Sequence, residues 1–121
     1  MKVILFFLII FYNSHVLSLE VTLTQGTVKP TSIAITNFYS KNNKAVKVGK
    51  KISEIISNNL ERSRLFEPIN KKAFIQNNES LAKQIRFEDW KVIKSQYLLS
   101  GSVKINNDNK IIVCYKIYDI F

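Results

Sequence analysis

The chain has 121 residues, a formal net charge of +9, one cysteine and one histidine. This length is enough for one small domain and too short for two. A single cysteine excludes an intrachain disulfide. The lone histidine, His15, lies in a segment that we expect to be removed, which leaves no histidine for catalysis or metal binding.

The first eighteen residues have the pattern of a secretory signal peptide. Lys2 gives a positive start, residues 3–12 form an unbroken apolar run, and Val16 and Ser18 occupy the positions three and one before the expected cut. A membrane span needs about 20 apolar residues, so this run favours a signal over an uncleaved anchor, which is the alternative. We expect cleavage after Ser18 and export of the remaining chain.

The spacing of apolar residues predicts the strands and the helix in the first half of the chain after Ser18. Residues 19–28 alternate loosely as an exposed, β-capable segment, and residues 31–38 form a better strand, with Ile33 and Ile35 facing one way. From Ala45 the apolar spacing becomes helical and continues to about Arg64. The apolar stripe of this helix is predicted to consist of Val48, Ile52, Ile55, Ile56 and Leu60.

The second half of the chain is predicted to contain short extended segments and short helices, followed by a hairpin. Pro68 predicts an extended segment over residues 66–69, and Asn70 can cap a short helix over residues 71–76. Residues 77–83 are polar and predict a loop, whereas Phe87, Trp90 and Ile93 have the spacing of one helix face. Residues 97–105 and 110–121 then form a hairpin closed by residues 106–109. This order predicts an α/β fold, a small mixed β-sheet with helices packed on it.

A positive net charge is typical of nucleic-acid-binding proteins, but the distribution of the basic residues along this chain disfavours that function. Lysines and arginines that bind phosphates are usually clustered, whereas here they are scattered between apolar residues. Abundant Asn, Ile and Lys, which share A/T-rich codons, are explained by genome base composition. We expect a solvated basic surface and no nucleic-acid partner, with the following lysines exposed: Lys44, Lys47, Lys50, Lys51, Lys71, Lys72, Lys91 and Lys94.

The residue types and their spacing give little support to catalysis or metal binding. Cys114 lies in the middle of a predicted strand, where a buried, inert thiol is expected. Glu88 and Asp89 are adjacent on a predicted helix and point apart. Trp90 could stack on a ligand, but on an apolar helix face it is more often a core residue. The sequence therefore predicts no cofactor, no metal and no enzyme activity.

Residues 55–76, with the turn Ser-Arg-Leu-Phe-Glu-Pro at positions 63–68, resemble the amino-terminal domain of the TolB family. Further landmarks occur in the same order along the chain. Residues 30–35 with Phe38 look like the first core strand of that family, and Asp89-Trp90 and residues 97–103 match its later helix and strand. The resemblance extends over essentially all of the chain after Ser18.

The resemblance implies a periplasmic interaction protein of the Tol-Pal system, which maintains outer-membrane integrity during cell division and which bacteriocins exploit for entry. It implies a signal peptide at residues 1–18, a mobile segment at residues 19–30 and an α/β domain at residues 31–121. The mobile segment of the family binds the C-terminal domain of TolA. The matching candidate binding residues here are Leu19, Glu20, Val21, Thr22, Leu23, Thr24, Gln25 and Gly26.

Two departures from the family pattern affect these expectations. Arg64 stands where the family usually has Gly, so we expect left-handed backbone geometry at this position. The alternative is a helix that continues through Arg64 and stops at Glu67. The chain stops at Phe121, where the family continues into another strand, a helix and a β-propeller that binds Pal. We therefore expect a domain fragment or a truncated gene product, with Pal as a partner only if a propeller is present.

The alternative function is a small secreted basic binding protein, or a non-functional product, that retains the fold. In either case the last predicted strand carries apolar residues on both faces, which predicts aggregation or dimerisation of the chain.

Overall fold

Four strands form one mixed sheet in the computed structural model, which describes residue 26 and residues 28–121. They are β1 (Thr31–Ile35), β2 (Phe66–Pro68), β3 (Tyr97–Ile105) and β4 (Ile111–Asp119), arranged in the order β2-β1-β3-β4. β1 runs parallel to both β2 and β3, and β4 is antiparallel to β3. The predicted α/β fold is confirmed. The strand predicted over residues 19–28 lies outside the described residues except for positions 26 and 28, which are in no strand.

Helices cover both faces of this sheet. α1 (Asn43–Arg62) lies on one face, and the short helices α2 (Asn78–Lys83) and α3 (Phe87–Val92) lie on the other. β1 is buried on both sides. Ile33 and Ile35 point to the face covered by α1, and Ala34 points to the face covered by α2 and α3. A central strand of parallel pairs has this two-sided burial. It ends at Ile35, three residues before the predicted end.

Small residues bring α1 close to the sheet. Ala45, Gly49 and Ser53, spaced four apart, are the fully buried positions of the helix, and the larger apolar side chains flank them. Ile55 lies about 200° around the helix from Ser53 and is 49% exposed. The prediction that Ile55 belongs to the buried stripe is therefore wrong, because spacing alone did not show which line of residues faces the sheet.

A left-handed residue ends α1, as the sequence predicts. Arg64 has a φ of 60°, and its N–H donates to the carbonyl of Glu61 at 3.0 Å. The longer bond of a Schellman turn is replaced by a bridge through Ser63. The Leu65 N–H donates to Ser63 Oγ at 3.2 Å, and that hydroxyl donates to the Leu60 carbonyl at 2.5 Å.

We expect Arg64→Gly to stabilise the protein. An L-residue in the left-handed region costs about 1–2 kcal/mol, and the attraction of Arg64 to the negative helix end returns only about 0.3–1 kcal/mol. Gly also increases the conformational entropy of the unfolded chain, so the net gain in the free energy of unfolding should be about 1 kcal/mol or less. Urea unfolding of the two proteins measures the difference, and a lower midpoint for the Gly variant would contradict this account.

The polar segment at residues 77–83 forms α2, so its prediction as a loop is wrong. The Asn77 side chain caps the helix by accepting from the Ser80 N–H at 2.9 Å. One apolar residue, Leu81, is buried against the cluster that contains Trp90. A single buried anchor in a helix of six residues leaves no periodic pattern for a sequence reading to detect.

The face of the sheet covered by α2 and α3 has a second hydrophobic core of Ala34, Leu81, Trp90, Leu98 and Ile120. The burial of Trp90 in this second core confirms its prediction as a core residue. It is fully buried, and the ring of Phe74 meets it edge-on at 5.1 Å between centroids. Phe87, predicted on the same buried face, is 41% exposed and contacts Tyr118 edge-on. The helix predicted over residues 71–76 is a 3₁₀ turn, Lys71–Ala73, capped by Asn70 as expected.

The hairpin between β3 and β4 has the predicted loop. Asn106 N–H donates to the Lys110 carbonyl at 2.9 Å, and Asn109 N–H donates to the Asn106 carbonyl at the same distance. Asn109 has a φ of 57°, a conformation that Asn tolerates better than most residues. This is a turn followed by a left-handed residue, a common way to close three-residue hairpin loops.

Candidate protein-interaction surface

The predicted partner segment, Leu19 to Gly26, lies outside the described residues apart from Gly26, which is exposed. In the described part of the chain, no helix is long and apolar enough to cross a bilayer, and no cluster of His, Cys, Asp and Glu could hold a metal ion. The surface features that the structure describes include the outer strand β4, a groove beside it and a half-buried lysine.

β4 presents a row of exposed apolar side chains on the α1 face of the sheet. Ile111, Val113, Tyr115 and Ile117 are 53%, 39%, 66% and 59% exposed, respectively. They share this face with Leu99 and Val103 of β3, which pair in register with Ile117 and Val113, respectively. α1 packs on Leu99 and Val103 but does not cover the row on β4.

The backbone of β4 has a defined outer edge. Lys110 accepts from Asn106, and the Ile120 N–H donates to the Gln96 carbonyl at 2.9 Å, so even-numbered residues direct their N–H and C=O groups toward β3. The register between the strands is continuous from Ile111 to Asp119. The backbone groups of residues 111, 113, 115, 117 and 119 therefore point away from β3, because the two sides alternate along an antiparallel strand.

Cys114 is exposed on the opposite face of β4, which corrects the expectation of a buried thiol. It borders a groove of about 370 Å³ between β4 and α2, whose walls also include Asn78, Ser100, Lys116 and Tyr118. On this face Ile112, Cys114 and Lys116 are exposed, whereas Tyr118 is half-buried and packs against the cluster that contains Trp90. The exposure of the first three follows from strand order, because β4 lies at the end of the described sheet.

A polar cluster under α1 contains a lysine that was predicted to be solvent-exposed. Lys71 is half-buried and donates from Nζ to the side-chain oxygen of Asn37 and, at 3.0 Å, to Ser53 Oγ. Ser53 Oγ in turn lies 2.8 Å from the Lys50 carbonyl oxygen. This cluster ties the end of β1, α1 and the 3₁₀ turn together.

A serine beside a lysine is also an arrangement for nucleophilic catalysis, since an unprotonated lysine can act as the base. Here Ser53 has no exposed surface, and its hydroxyl is enclosed by Asn37, Lys50 and Lys71. A substrate could not reach it without opening the packing of α1 on the sheet. The cluster is therefore structural in this geometry.

Burial lowers the pKa of Lys71 below its ordinary value of 10.5; nearby Glu54 opposes the shift and Lys50 adds to it. Below the lowered pKa the fold must bury a charge, and this cost disappears as the amine deprotonates. We therefore expect the free energy of unfolding to increase as the pH rises from the lowered pKa toward 10.5.

Urea unfolding between neutral pH and pH 10, followed by Trp90 fluorescence, tests this expectation. The difference in stability between the wild type and Lys71→Met should rise with pH in the alkaline range. Lys72→Met, on the exposed side of the same turn, controls for the loss of one positive charge. A difference that is constant with pH would show that the fold places no cost on charging Lys71.

Comparison with known proteins agrees with this geometry. The family model of the TolB amino-terminal domain matches residues 19–121. A Tol-Pal system protein TolB from Paramagnetospirillum magneticum is 39% identical over 102 residues, and one from Dinoroseobacter shibae is 31% identical over 103 residues. These matches cover 84% and 85% of this chain, which spans 23% of the length of each relative.

A solved structure shares the fold. The crystal structure of TolB from Acinetobacter baumannii superimposes with a TM-score of 0.57 at 25% sequence identity, over 75% of this chain and 20% of that one. The resemblance inferred from the Ser63–Pro68 turn is thus confirmed by sequence and structure together. The chain belongs to the TolB amino-terminal domain family.

Proposed function

We propose that this chain is exported to the periplasm and acts there as a protein-binding component of the Tol-Pal envelope system. The observation that carries the proposal is the family match over residues 19–121, together with relatives that are themselves Tol-Pal system proteins. The match begins at the residue that follows the expected cleavage site at Ser18. In this role the chain contributes to outer-membrane integrity during cell division and offers bacteriocins a point of entry.

The proposed partner is the C-terminal domain of TolA, and the proposed site is the segment from Leu19 to Gly26. Val21 and Leu23 alternate with Thr22 and Thr24, a pattern suited to a strand that adds to the edge of another protein's sheet. In this binding mode main-chain hydrogen bonds supply affinity and alternate side chains supply specificity. Pal would bind only a chain that also contains a propeller.

The role is binding rather than catalysis. The carboxylates of α3 are occupied by their neighbours, since Asp89 pairs with Arg86 and Glu88 pairs with Lys91 at 3.0 Å. Ser53 is enclosed within the protein, as described above. These groups serve the fold, which supports an interaction module as the activity of the chain.

Calorimetric titration against a TolA C-terminal domain tests the site. We expect the chain of residues 19–121 to bind and a chain starting at residue 30 to lose measurable affinity. Replacing Val21 and Leu23 together by Ser should weaken binding at least tenfold, because both apolar anchors are removed. The matched control replaces two exposed apolar residues outside the segment, Val46 and Ile55, by Ser and should leave affinity within about twofold.

Equal affinity with and without the segment would refute the site. Absence of binding by every chain that contains residues 19–121 would refute the partner, and would favour the alternative of a secreted basic protein that merely retains the fold.

A further inference from the structure

The side of α1 that points away from the sheet carries a line of lysines. The three fully buried residues of the helix mark the side that faces the sheet. At about 100° per residue, Lys44, Lys47 and Lys51 fall within an arc of about 60° on the opposite side, and all three are exposed. Along the sequence these lysines alternate with apolar residues, so the helix is what brings them together into one lysine face.

The outward direction of the lysine face does not depend on where the chain ends. In a layered α/β domain, further strands extend the sheet sideways, and further helices lie beside those already packed on it. Such additions next to β4 would leave the outer side of α1 at the surface of the domain. The exposure of the lysine face therefore follows from the packing of α1 on the sheet.

Acidic neighbours do not balance the charge of this surface. Residues 41–51 contain five lysines and no Asp or Glu, and the first turn of α1 has no acidic residue. The ion pairs within the described part of the chain lie at α3 instead. Glu54 and Glu61, the acidic residues of α1, follow after these lysines. The first half of the helix is therefore a local concentration of positive charge.

The placement of these lysines opposes the stability of the helix. The amino-terminal end of a helix carries a partial positive charge, which repels Lys44 in the first turn. Lys47 lies three residues after Lys44 and four before Lys51, so that like charges are neighbours on the helix surface and destabilise it. Local rules of this kind are usually violated where function requires it. A binding role accounts for this placement better than solvation alone.

We infer that the lysine face binds the negatively charged surface of a lipid bilayer. Small-molecule sites are concave, whereas the outer side of a helix is convex and suits an extended partner. Lysine ammonium groups attract phosphate without the fixed paired geometry of arginine, which matches a fluid array of lipid phosphates. Lysine is depleted in protein–protein interfaces, and this favours a bilayer over an acidic protein. Ile55, 49% exposed, continues the same line and adds an apolar contact with the headgroup boundary.

Sedimentation with lipid vesicles tests the inference. The chain of residues 19–121, which lacks the apolar run of residues 3–12, is mixed at low salt with vesicles of phosphatidylcholine or of phosphatidylcholine and phosphatidylglycerol in equal amounts. We expect the protein to sediment with the mixed vesicles and to stay in solution with the neutral ones. Added salt should release it, because salt screens the attraction between exposed charges.

Two triple variants separate the lysine face from net charge. Replacing Lys44, Lys47 and Lys51 together by Gln should weaken binding to the mixed vesicles roughly 100-fold, since each lysine close to an anionic surface contributes about fivefold. The matched control replaces three exposed lysines away from α1 by Gln, namely Lys83, Lys110 and Lys116. It loses the same charge and should bind far more tightly than the first variant, because charges beyond the screening length contribute little.

Two results would overturn the inference. Absence of binding to the mixed vesicles would leave an acidic protein as the alternative partner of the lysine face, and equal loss of binding in the two triple variants would show that only net charge matters. Removing the repulsion within α1 should leave the urea midpoint of the first variant no lower than that of the wild type, so that its loss of binding is not loss of the fold. The titration against TolA uses a separate segment, so either proposal can fail alone.

Discussion

Gly49→Ala is expected to destabilise the protein by about 1–3 kcal/mol, the usual cost of forcing an extra group into a packed core. At an ordinary helix position the same change would stabilise by nearly 1 kcal/mol, because Ala has the higher helix propensity. Here α1 crosses the backbone after β1 so closely that a Cβ on Gly49 would lie 3.1 Å from the carbonyl carbon of Phe38 and closer still to its oxygen. A backbone carbonyl cannot move aside as a flexible side chain could.

The control for this prediction lies on the same helix. Lys51 is exposed, so Lys51→Ala should be more stable than Lys51→Gly by nearly 1 kcal/mol. The order of Ala and Gly should thus be opposite at positions 49 and 51 in urea unfolding. If Ala is the more stable residue at both positions, α1 can move away from Phe38 at little cost and the close approach is not required.

Gln76→Leu should destabilise the second core. Gln76 is 3% exposed, and its side-chain oxygen accepts from the Trp90 indole N–H and the Arg86 N–H, each at 3.1 Å. Its amide nitrogen donates to the Gln84 carbonyl at 2.5 Å. Leucine has a similar volume but leaves these groups without partners. A buried polar group left unpaired costs about 1–3 kcal/mol, so we expect a loss of about 2–4 kcal/mol in all.

A double-mutant cycle with Trp90→Phe separates the hydrogen bond from packing. Phenylalanine has no N–H, so Gln76→Leu should cost less in the Trp90→Phe background than in the wild type, and the difference is the coupling between the two side chains. Circular dichroism is the suitable signal, because the second variant removes the only tryptophan. Additive effects of the two changes would show that the Trp90 N–H finds another partner or does not need one.

Local signals in the sequence were sufficient for several elements. The bounds of β3 agree with the prediction, and its end is marked by the turn residues of the hairpin loop. The left-handed geometry at Arg64, in contrast, was expected from the family resemblance, because the TolB family usually has Gly at that position. Trp90 was predicted correctly because a tryptophan on an apolar helix face is more often a core residue than a ligand contact, although Phe87 on the same predicted face is 41% exposed.

The candidate site was less accessible to sequence reasoning. The segment from Leu19 to Gly26 was selected through family resemblance, since alternation over eight residues is also compatible with a tail. The exposed row on β4 was read correctly as apolar, but its outer backbone edge depends on the pairing with β3. Lys71 and Gln76 gave no signal at all, because their partners are 18 or 34 residues away for Lys71, and 8 to 14 residues away for Gln76.

The sequence by itself determined the number and kind of the main elements, since hydrophobic periodicity, helix caps and turn residues act over a few positions of the chain. Only the tertiary structure decided burial. β1 became the central strand and β4 the edge, so alternating apolar residues are buried in one and exposed in the other. Burial depends on which strands become neighbours, and strand order is set by packing between residues far apart in the chain. For that reason Ile55 and Cys114 are exposed while Ser53 and Gln76 are enclosed.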